Sequence, residues 1–527
     1  MITRFLTSVA ALGLTAGMAA ADYKLTILHT NDLHSRIESI NKYDSTCDAE
    51  GEAEGKCFGG VARLKTVVDA KRAEMPDANL LLLDAGDPFQ GSLFYTTYKG
   101  AAEAEFMEAI GYDVMAVGNH EFDDGPAGLA AFIDAVSFPV ISGNLDLSSS
   151  AELKGKVQNH VVLEVGGQKI GIISALATDT VETSSPGKDV VFQDEIDSLA
   201  ADVAALEAEG VNIIIALNHV GLAKDIEIAE KVPGIDLVVG GHSHTLLSNT
   251  DDGAAGPYPM MVGDVPVVQA YAYSKYLGEI ELTFDDDGNL VSAQGEPILL
   301  DASITPDPDI AARVAEMGAP IEEMKKRVVA SASDAIEGSR DICRVQECEM
   351  GNLVADAMLA RVADQGVQIA IANSGGLRAS IDAGDVTMGE VLTVLPFQNT
   401  LSTFEISGQG IIDALENGVS QVEEVKGRFP QVAGLKFTWD PSVAPNEGRI
   451  VEVLVAEGDS YVPIDPNKTY LVVTNNYVRN GGDGYKMFTG DDKNAYDFGP
   501  DLADVTAEYL AANAPYTPYL DGRIQRK

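Results

Sequence analysis

Basic residues are scarce in this chain. Lysine and arginine together number 36 against 81 aspartates and glutamates, a formal net charge of −45. That excess excludes nucleic acid polymers and anionic membrane surfaces as partners, because the field of the whole molecule repels both. A small anionic ligand must be drawn in by local positive charge, from metal ions or a few arginines. Cysteine is rare too: four residues in two close pairs, Cys47 with Cys57 and Cys343 with Cys348. Neither pair has C-x-x-C spacing or histidines nearby, which argues for two local disulfides in an exported chain rather than a metal site. The C-terminal "PYTPYLDGRIQRK" is polar, with no hydrophobic tail to insert or to exchange for a lipid anchor. Internal repeats and low-complexity tracts are also missing.

What stands at the front is a short apolar run. "MITRFLTSVAALGLTAGMAAADYK" carries an early arginine, an apolar stretch broken by Thr and Gly, and small residues up to Ala21. It predicts a signal peptide over residues 1–21 rather than a membrane helix, and a periplasmic or secreted protein. No cysteine follows the cleavage point, so no lipoprotein anchor is expected. At 527 residues the chain exceeds a single domain of ~100–200 residues.

From Lys24 to about Leu300 apolar runs of strand length alternate with helical patterns. "KLTILHT", "NLLLLDAG", "DVMAVGN", "FPVISGN", "KIGIISA", "VNIIIALNH", "IDLVVGGH" and "VPVVQAYA" are strand candidates, and "GGVARLKTVVDAKRAEM" and "DEIDSLAADVAALEAEG" are helices between them. Strands apolar on both faces and interleaved with helices predict a layered α/β domain over 22–305. A charged helical segment with Gly318 and Pro320 inside it predicts an interrupted connector and hinge over 306–335. A second α/β block is expected over 336–527, with "QIAIANSGG", "NTLSTFEISG", "LKFTWD" and "TYLVVTNNY" as strands.

Chemistry concentrates where the strands of the first block end. "ILHTNDLHSR" supplies Asp32 and His34; "LLLDAGDPFQGS" supplies Asp87; "AVGNHEFD" supplies Asn119, His120 and Asp123; "IALNHVG" supplies His219; "VVGGHSHT" supplies His242 and His244. Gly-Asn and Asp-Asp-Gly taken alone are ordinary turn chemistry. Five of the seven histidines, however, fall in these loops, at the carboxyl ends of strands where an open α/β sheet gathers its ligand site. Imidazoles, carboxylates and one amide oxygen suit Zn²⁺, Mn²⁺ or Fe, and accept Co²⁺, better than they suit Ca²⁺ or Mg²⁺. Two such ions, ~3.5–4 Å apart in dimetal sites and bridged most naturally by Asp87, polarise a phosphoryl oxygen and activate water for phosphoester hydrolysis.

The ordered set D-x-H, G-D, G-N-H-E, N-H and G-H-x-H resembles the calcineurin-like metallophosphoesterases, and "NDLHSR", "GNHEFD", "NSGGLR" and "NNYVRNGGDGY" resemble the two-domain 5′-nucleotidases across essentially the whole chain. The resemblance implies a layered α/β/β/α metallophosphoesterase domain followed by a second α/β substrate-binding domain. It implies that Asp32, His34, Asp87 and His244 hold one ion and that Asp87, Asn119, His219 and His242 hold the other. His120 then matches a noncoordinating imidazole that stabilises transition-state charge, with Asp123 orienting it; Glu121 is expected to be structural. In the second block Arg340, Arg344 and Arg378 match phosphate-contacting arginines, Phe397 and Tyr477 match stacking aromatics, and Asn373 and Asp483 match polar contacts to base or ribose. Tyr477 departs from the Phe common in relatives, and its hydroxyl requires a partner.

The expected activity is release of phosphate from nucleoside 5′-monophosphates by an exported dimetal hydrolase, with nucleotide sugars as further substrates. A 2′,3′-cyclic-nucleotide phosphodiesterase/3′-nucleotidase and a dimanganese sulfate-releasing hydrolase are the alternatives within the superfamily. An inactive nucleotide-binding protein is the alternative outside enzymes, and it conflicts with a complete ligand set.

Overall fold

The computed structural model describes residues 22–527 except 43, 45, 76–78, 179, 286, 287, 396, 459, 491, 492 and 498; the expected signal peptide therefore lies outside the described residues. The first block is built on two stacked sheets. In one, Tyr23–Thr30, Leu80–Asp84, Val114–Ala116 and Val140–Ile141 run parallel in sequence order. Tyr276–Phe284 adds antiparallel to the first strand, and Leu290–Gly295 follows it. The other sheet runs in the order Met260–Val262, Val265–Val268, Leu237–Val239, Ile213–Leu217, Gln168–Ile173, His160–Val165.

Side-chain alternation explains the layers, because neighbours along a strand point to opposite faces. Ile27, Leu81, Leu83 and Val114 meet Ile170, Ile172, Ile215 and Leu237 between the sheets. Their neighbours Leu28, Leu82 and Met115 turn outward to the helices Val61–Glu74, Ala101–Ile110 and Gly125–Ala135. On the far side Ile173, Ile214 and Val238 pack beneath Glu195–Ala208 and Leu222–Lys231. The layers are thus α/β/β/α, and burial on both faces is why the strands read as unbroken apolar runs.

The second block holds a four-stranded sheet in the order Leu401–Ser407, Thr469–Asn475, Ile369–Asn373, Pro430–Ala433. A second four-stranded sheet contains Leu435–Trp439 and Ile450–Glu457. Both expected disulfides, Cys47–Cys57 and Cys343–Cys348, are present.

The connector departs from expectation. Pro308–Lys325 is one continuous helix that passes through both Gly318 and Pro320. Met317 and Ile321, four residues apart on one face and 6% and 4% exposed, join the apolar cluster of the first block on either side of the proline. Burying two such side chains contributes about 1.5–3 kcal/mol each, enough to offset the ~3 kcal/mol cost of an interior proline. The Tyr98 hydroxyl also donates to the Met317 carbonyl at 2.7 Å. No helix among the described residues is long and apolar enough to cross a membrane.

Candidate dimetal centre

Loops leaving the carboxyl ends of five strands, three from one sheet and two from the other, converge at one edge of the first block. Asp32, His34, Asp87, His242 and His244 all adopt positive φ, between 46° and 70°. Outside glycine such a backbone costs on the order of 1–3 kcal/mol per residue and persists where the surroundings over-determine it. The loops also approach each other closely: a Cβ on Gly118 would lie 2.2 Å from Asp87 Oδ1, so only glycine fits beside that carboxylate.

Among the described residues three groups of side chains offer ligand atoms within 4.8 Å of one another: Asp32, His34 and His244; His34, Asp87 and His120; and Asp87, His219 and His242. Their hydrogen-bond partners select the tautomers. His34 Nδ1 lies 3.1 Å from the Phe89 carbonyl and His219 Nδ1 2.7 Å from the Ala85 carbonyl. Each Nδ1 must therefore donate, which turns the Nε2 lone pair inward. Inside, the ring nitrogens crowd against one another and against an amide oxygen. His34 Nε2 is 2.9 Å from His244 Nε2, and Asn119 Oδ1 is 2.9 Å from His242 Nδ1 and 3.2 Å from His219 Nε2.

Asp87 stands between the groups. Its Oδ1 accepts the His120 backbone N–H at 2.9 Å. Its Oδ2 lies 3.1 Å from His219 Nε2 and 3.9 Å from His34 Nε2, buried and without a hydrogen bond of proper geometry. Imidazole nitrogens converging on a buried carboxylate oxygen fit divalent cations of the nitrogen- and oxygen-binding kind.

The protonation states agree with this fit. Burial, then the charge of neighbouring histidines, pulls His34 and His242 down to about 3, leaving neutral imidazoles. Burial opposes charge on Asp87, yet His219, His120 and His34 hold it well below the ordinary carboxylate range. His219 is pushed up to about 10, because Asp87 and then Asp32 outweigh its burial. A proton on His219 and a divalent cation are thus alternative ways to satisfy the same two carboxylates.

His120 is arranged differently. Its Nδ1 sits 2.6 Å from Asp123 Oδ2, and burial is overcome by Asp123 and Asp87, which raise the imidazole to about 9. Asp123 is fixed in turn by Ser184 Oγ at 2.7 Å and Gln90 Nε2 at 3.1 Å. Glu121 accepts the backbone N–H groups of Gly118 at 2.7 Å and Asp87 at 3.0 Å, so it clamps two ligand loops together, in keeping with a structural part.

Against this centre the second block forms a cavity of about 370 Å³, in which His34, His120, His242 and His244 face Gln398, Asn476 and Asn480. A space lined by His244, Phe397 and Tyr477 leads onward. It reaches a further cavity of about 450 Å³ lined by Arg344, Asn373, Arg378, Phe397, Tyr477 and Asp483. Of the expected substrate residues only Arg340 stays off these walls; it is exposed at the first turn of the short helix Arg340–Cys343, and its charge is felt by Arg344. The Arg378 guanidinium lies 5.3 Å from the centre of the Phe397 ring.

Several lining residues went unnoticed in the sequence. Arg36 stands inside the quoted "NDLHSR", buried, with its guanidinium 5.0 Å from the Tyr273 ring. Lys42 and Asp44, just before the Cys47–Cys57 pair, reach the cavity of the second block from the first. Gln90 lines the centre beside His120. Arg36 and Gln90 stood inside quoted motifs, and Lys42 and Asp44 did not.

Comparison with known proteins agrees with this geometry. Residues 25–246 match the family described as Calcineurin-like phosphoesterase and residues 328–490 match the 5'-nucleotidase, C-terminal domain. The chain is 39% identical to the 5'-nucleotidase of Diplobatis ommata over 96% of this chain and 90% of that protein. The chain belongs to the 5′-nucleotidase family. It is 38% identical to the 5'-nucleotidase of Homo sapiens, covering 98% of this chain and 94% of that one. Among solved structures, the 5'-nucleotidase precursor from Thermus thermophilus is 39% identical with a TM-score of 0.62, over 96% of this chain and 99% of that chain. The NAD nucleotidase of Haemophilus influenzae is 28% identical with a TM-score of 0.78 and the same coverage. As a member of this family the chain is a metal-dependent hydrolase that requires divalent ions.

Proposed function

We propose that this protein is an exported 5′-nucleotidase that releases phosphate from nucleoside 5′-monophosphates. The observation that carries the reading is the continuity of the space from the dimetal centre to the arginine-lined and aromatic-lined cavity, through walls shared by His244, Phe397 and Tyr477. A phosphate at one end and a base at the other belong to one nucleotide.

Asp32, His34, Asp87 and His244 would hold one ion, and Asp87, Asn119, His219 and His242 the other, with Asp87 serving both. When bound, the two ions supply Lewis acidity to the phosphoryl group and to the attacking water. The chain does the rest. His120, protonated and oriented by Asp123, donates to a phosphoryl oxygen where negative charge builds up. Arg344 and Arg378 hold the anionic substrate against the acidic field of the protein, Phe397 and Tyr477 sandwich the base, and Asn373 and Asp483 take up polar groups of the nucleoside.

This reading divides the chain at 22–305, 306–335 and 336–527, with residues 1–21 removed on export; the two disulfides support an oxidising compartment. Nucleotide sugars and dinucleotides are secondary substrates, favoured by the long cleft and by the likeness to a NAD nucleotidase. The test is a panel of AMP, ATP, UDP-glucose, 2′,3′-cyclic AMP and an aryl phosphate, assayed with metal-stripped and reconstituted protein. AMP should lead the panel after reconstitution; a preference for the cyclic ester would make the protein a phosphodiesterase instead.

A further inference from the structure

The side chains around Tyr477 form a chain of hydrogen bonds. Asn475 Nδ2 donates to Asn373 Oδ1 at 2.9 Å, and Asn373 Nδ2 donates to Asp483 Oδ2 at 2.7 Å. The Tyr477 hydroxyl donates to Asp483 Oδ1 at 3.2 Å and accepts the Asp483 backbone N–H at the same distance. Asn373 and Asn475 are buried, while Tyr477 is 48% exposed. One side of its ring is open to the cavity, and the other lies so close to the backbone that a Cβ on Gly482 would meet the ring at 2.6 Å.

Two consequences follow from chemistry. Asp483 has a φ of 52°, a backbone region that non-glycine residues occupy at a cost, and the hydroxyl ties its N–H and its carboxylate at once. The carboxylate is also held by one donor on each oxygen, so its plane is fixed while each oxygen keeps lone-pair capacity for another donor. Two adjacent acceptors on a fixed plane match two vicinal hydroxyls, and a ribose offers such a pair where a 2′-deoxyribose does not. Burial first, then the Asp483 charge, raises the phenol above its ordinary value, which keeps it a donor.

We propose that the Tyr477 hydroxyl is a positioning group for sugar recognition: with Asn373 it presets the Asp483 carboxylate to accept the ribose diol, so that one residue serves base stacking and ribose selection together. The inference rests on the nucleotidase reading above, and it gives the Tyr477 hydroxyl the partner that its departure from Phe requires. A phenylalanine keeps the ring and loses the preset.

The experiment compares kcat/KM for AMP and 2′-deoxy-AMP in the full-length, metal-loaded protein and in Tyr477→Phe and Asn373→Ala, with bound metal measured in each as the check on folding. The parent should favour AMP by about tenfold or more, the scale of a hydrogen bond to a charged group. Each variant should cut that ratio at least threefold, chiefly through KM for AMP. Equal losses for both nucleotides, or an unchanged ratio in both variants, would overturn the proposal. A parent that prefers AMP to an aryl phosphate but ignores the 2′-hydroxyl would overturn it while sparing the nucleotidase reading. A parent that prefers the aryl phosphate would overturn both.

Discussion

The Asp87 carboxylate is split between two tasks: Oδ1 accepts the His120 backbone N–H at 2.9 Å, while Oδ2 points 3.1 Å from His219 Nε2 with no proper donor. One oxygen holds the loop and the other faces the imidazoles proposed as metal ligands. Asp87→Asn should therefore be worse than the loss of any ligand serving a single ion. An amide nitrogen cannot bridge, and changes one step outside a metal's ligands already cost about 10–100-fold. The expected result is a fall of more than about a hundredfold in kcat/KM with fewer than two metals bound per chain, read by elemental analysis. Two retained metals would refute the bridge.

Chelation should abolish activity, and Mn²⁺, Co²⁺ or Zn²⁺ should restore it, because mixed His, Asp and Asn ligands accept all three. Metal should also raise the melting temperature, since five proposed ligands sit at positive φ and binding to the folded state alone stabilises it by mass action. Full activity in the stripped protein would defeat the dimetal reading.

His120→Ala should lower kcat by about a hundredfold or more with KM little changed and both metals retained, the signature of lost transition-state stabilisation. Asp123→Asn should follow in the same direction, because the His120 ring then loses the charge 2.6 Å away. An emptied metal site in His120→Ala would move that histidine into the ligand set.

Much of this centre was legible because chemistry-bearing residues recur where apolar strands stop, a pattern that needs no long-range information. His242 and His244 could be read together with Asp32 for that reason, although they lie on a different sheet. Two kinds of feature were not legible. Backbone strain at Asp87 or His34 leaves no trace in composition. Contacts that depend on how distant segments meet, such as Lys42 reaching the cavity of Arg344 and Phe397, have no local pattern. The antiparallel strand Tyr276–Phe284 beside Tyr23–Thr30 escaped because its alternation was overshadowed by the parallel runs. Pro320 misled in the opposite sense, since propensity announced a break that the packing of Met317 and Ile321 overrides.

Glu103 offers a pH test at a carboxyl that is not itself a proposed ligand. It is buried, accepts from Ser35 Oγ, and burial raises its carboxyl to about 7. A carboxyl with a raised folded pKa binds its proton more tightly when folded, so its contribution to stability is complete below the unfolded value near 4.3 and is lost as pH rises through about 7. Glu103→Gln removes that titration. The stability difference between pH 4.5 and pH 8, measured by denaturant unfolding, should shrink relative to the parent by on the order of 2–3 kcal/mol. An undiminished difference would mean that Glu103 is ionised in the fold.

Recognition and chemistry should be separable by truncation, provided the cut respects the packing. A fragment ending near residue 310 would remove the helix Pro308–Lys325 and uncover the face where Met317 and Ile321 join the core of the first block. It would also remove Arg313 from its ion pair with Glu105 at 2.6 Å, a smaller loss at the surface. A fragment of residues 22–326 keeps every proposed metal ligand, His120, Asp123 and the helix that covers the apolar core of the first block. It should bind metal and hydrolyse an aryl phosphate slowly while losing most of its preference for AMP, since the arginines and stacking rings are gone. In the full chain, Phe397→Ala should raise KM for AMP in proportion to a stacking contact of about 1–3 kcal/mol. Should the fragment discriminate AMP from the aryl phosphate as well as the full chain does, nucleotide selection would reside in the first block, and Lys42, Asp44 and Arg36 would be the groups to examine for it.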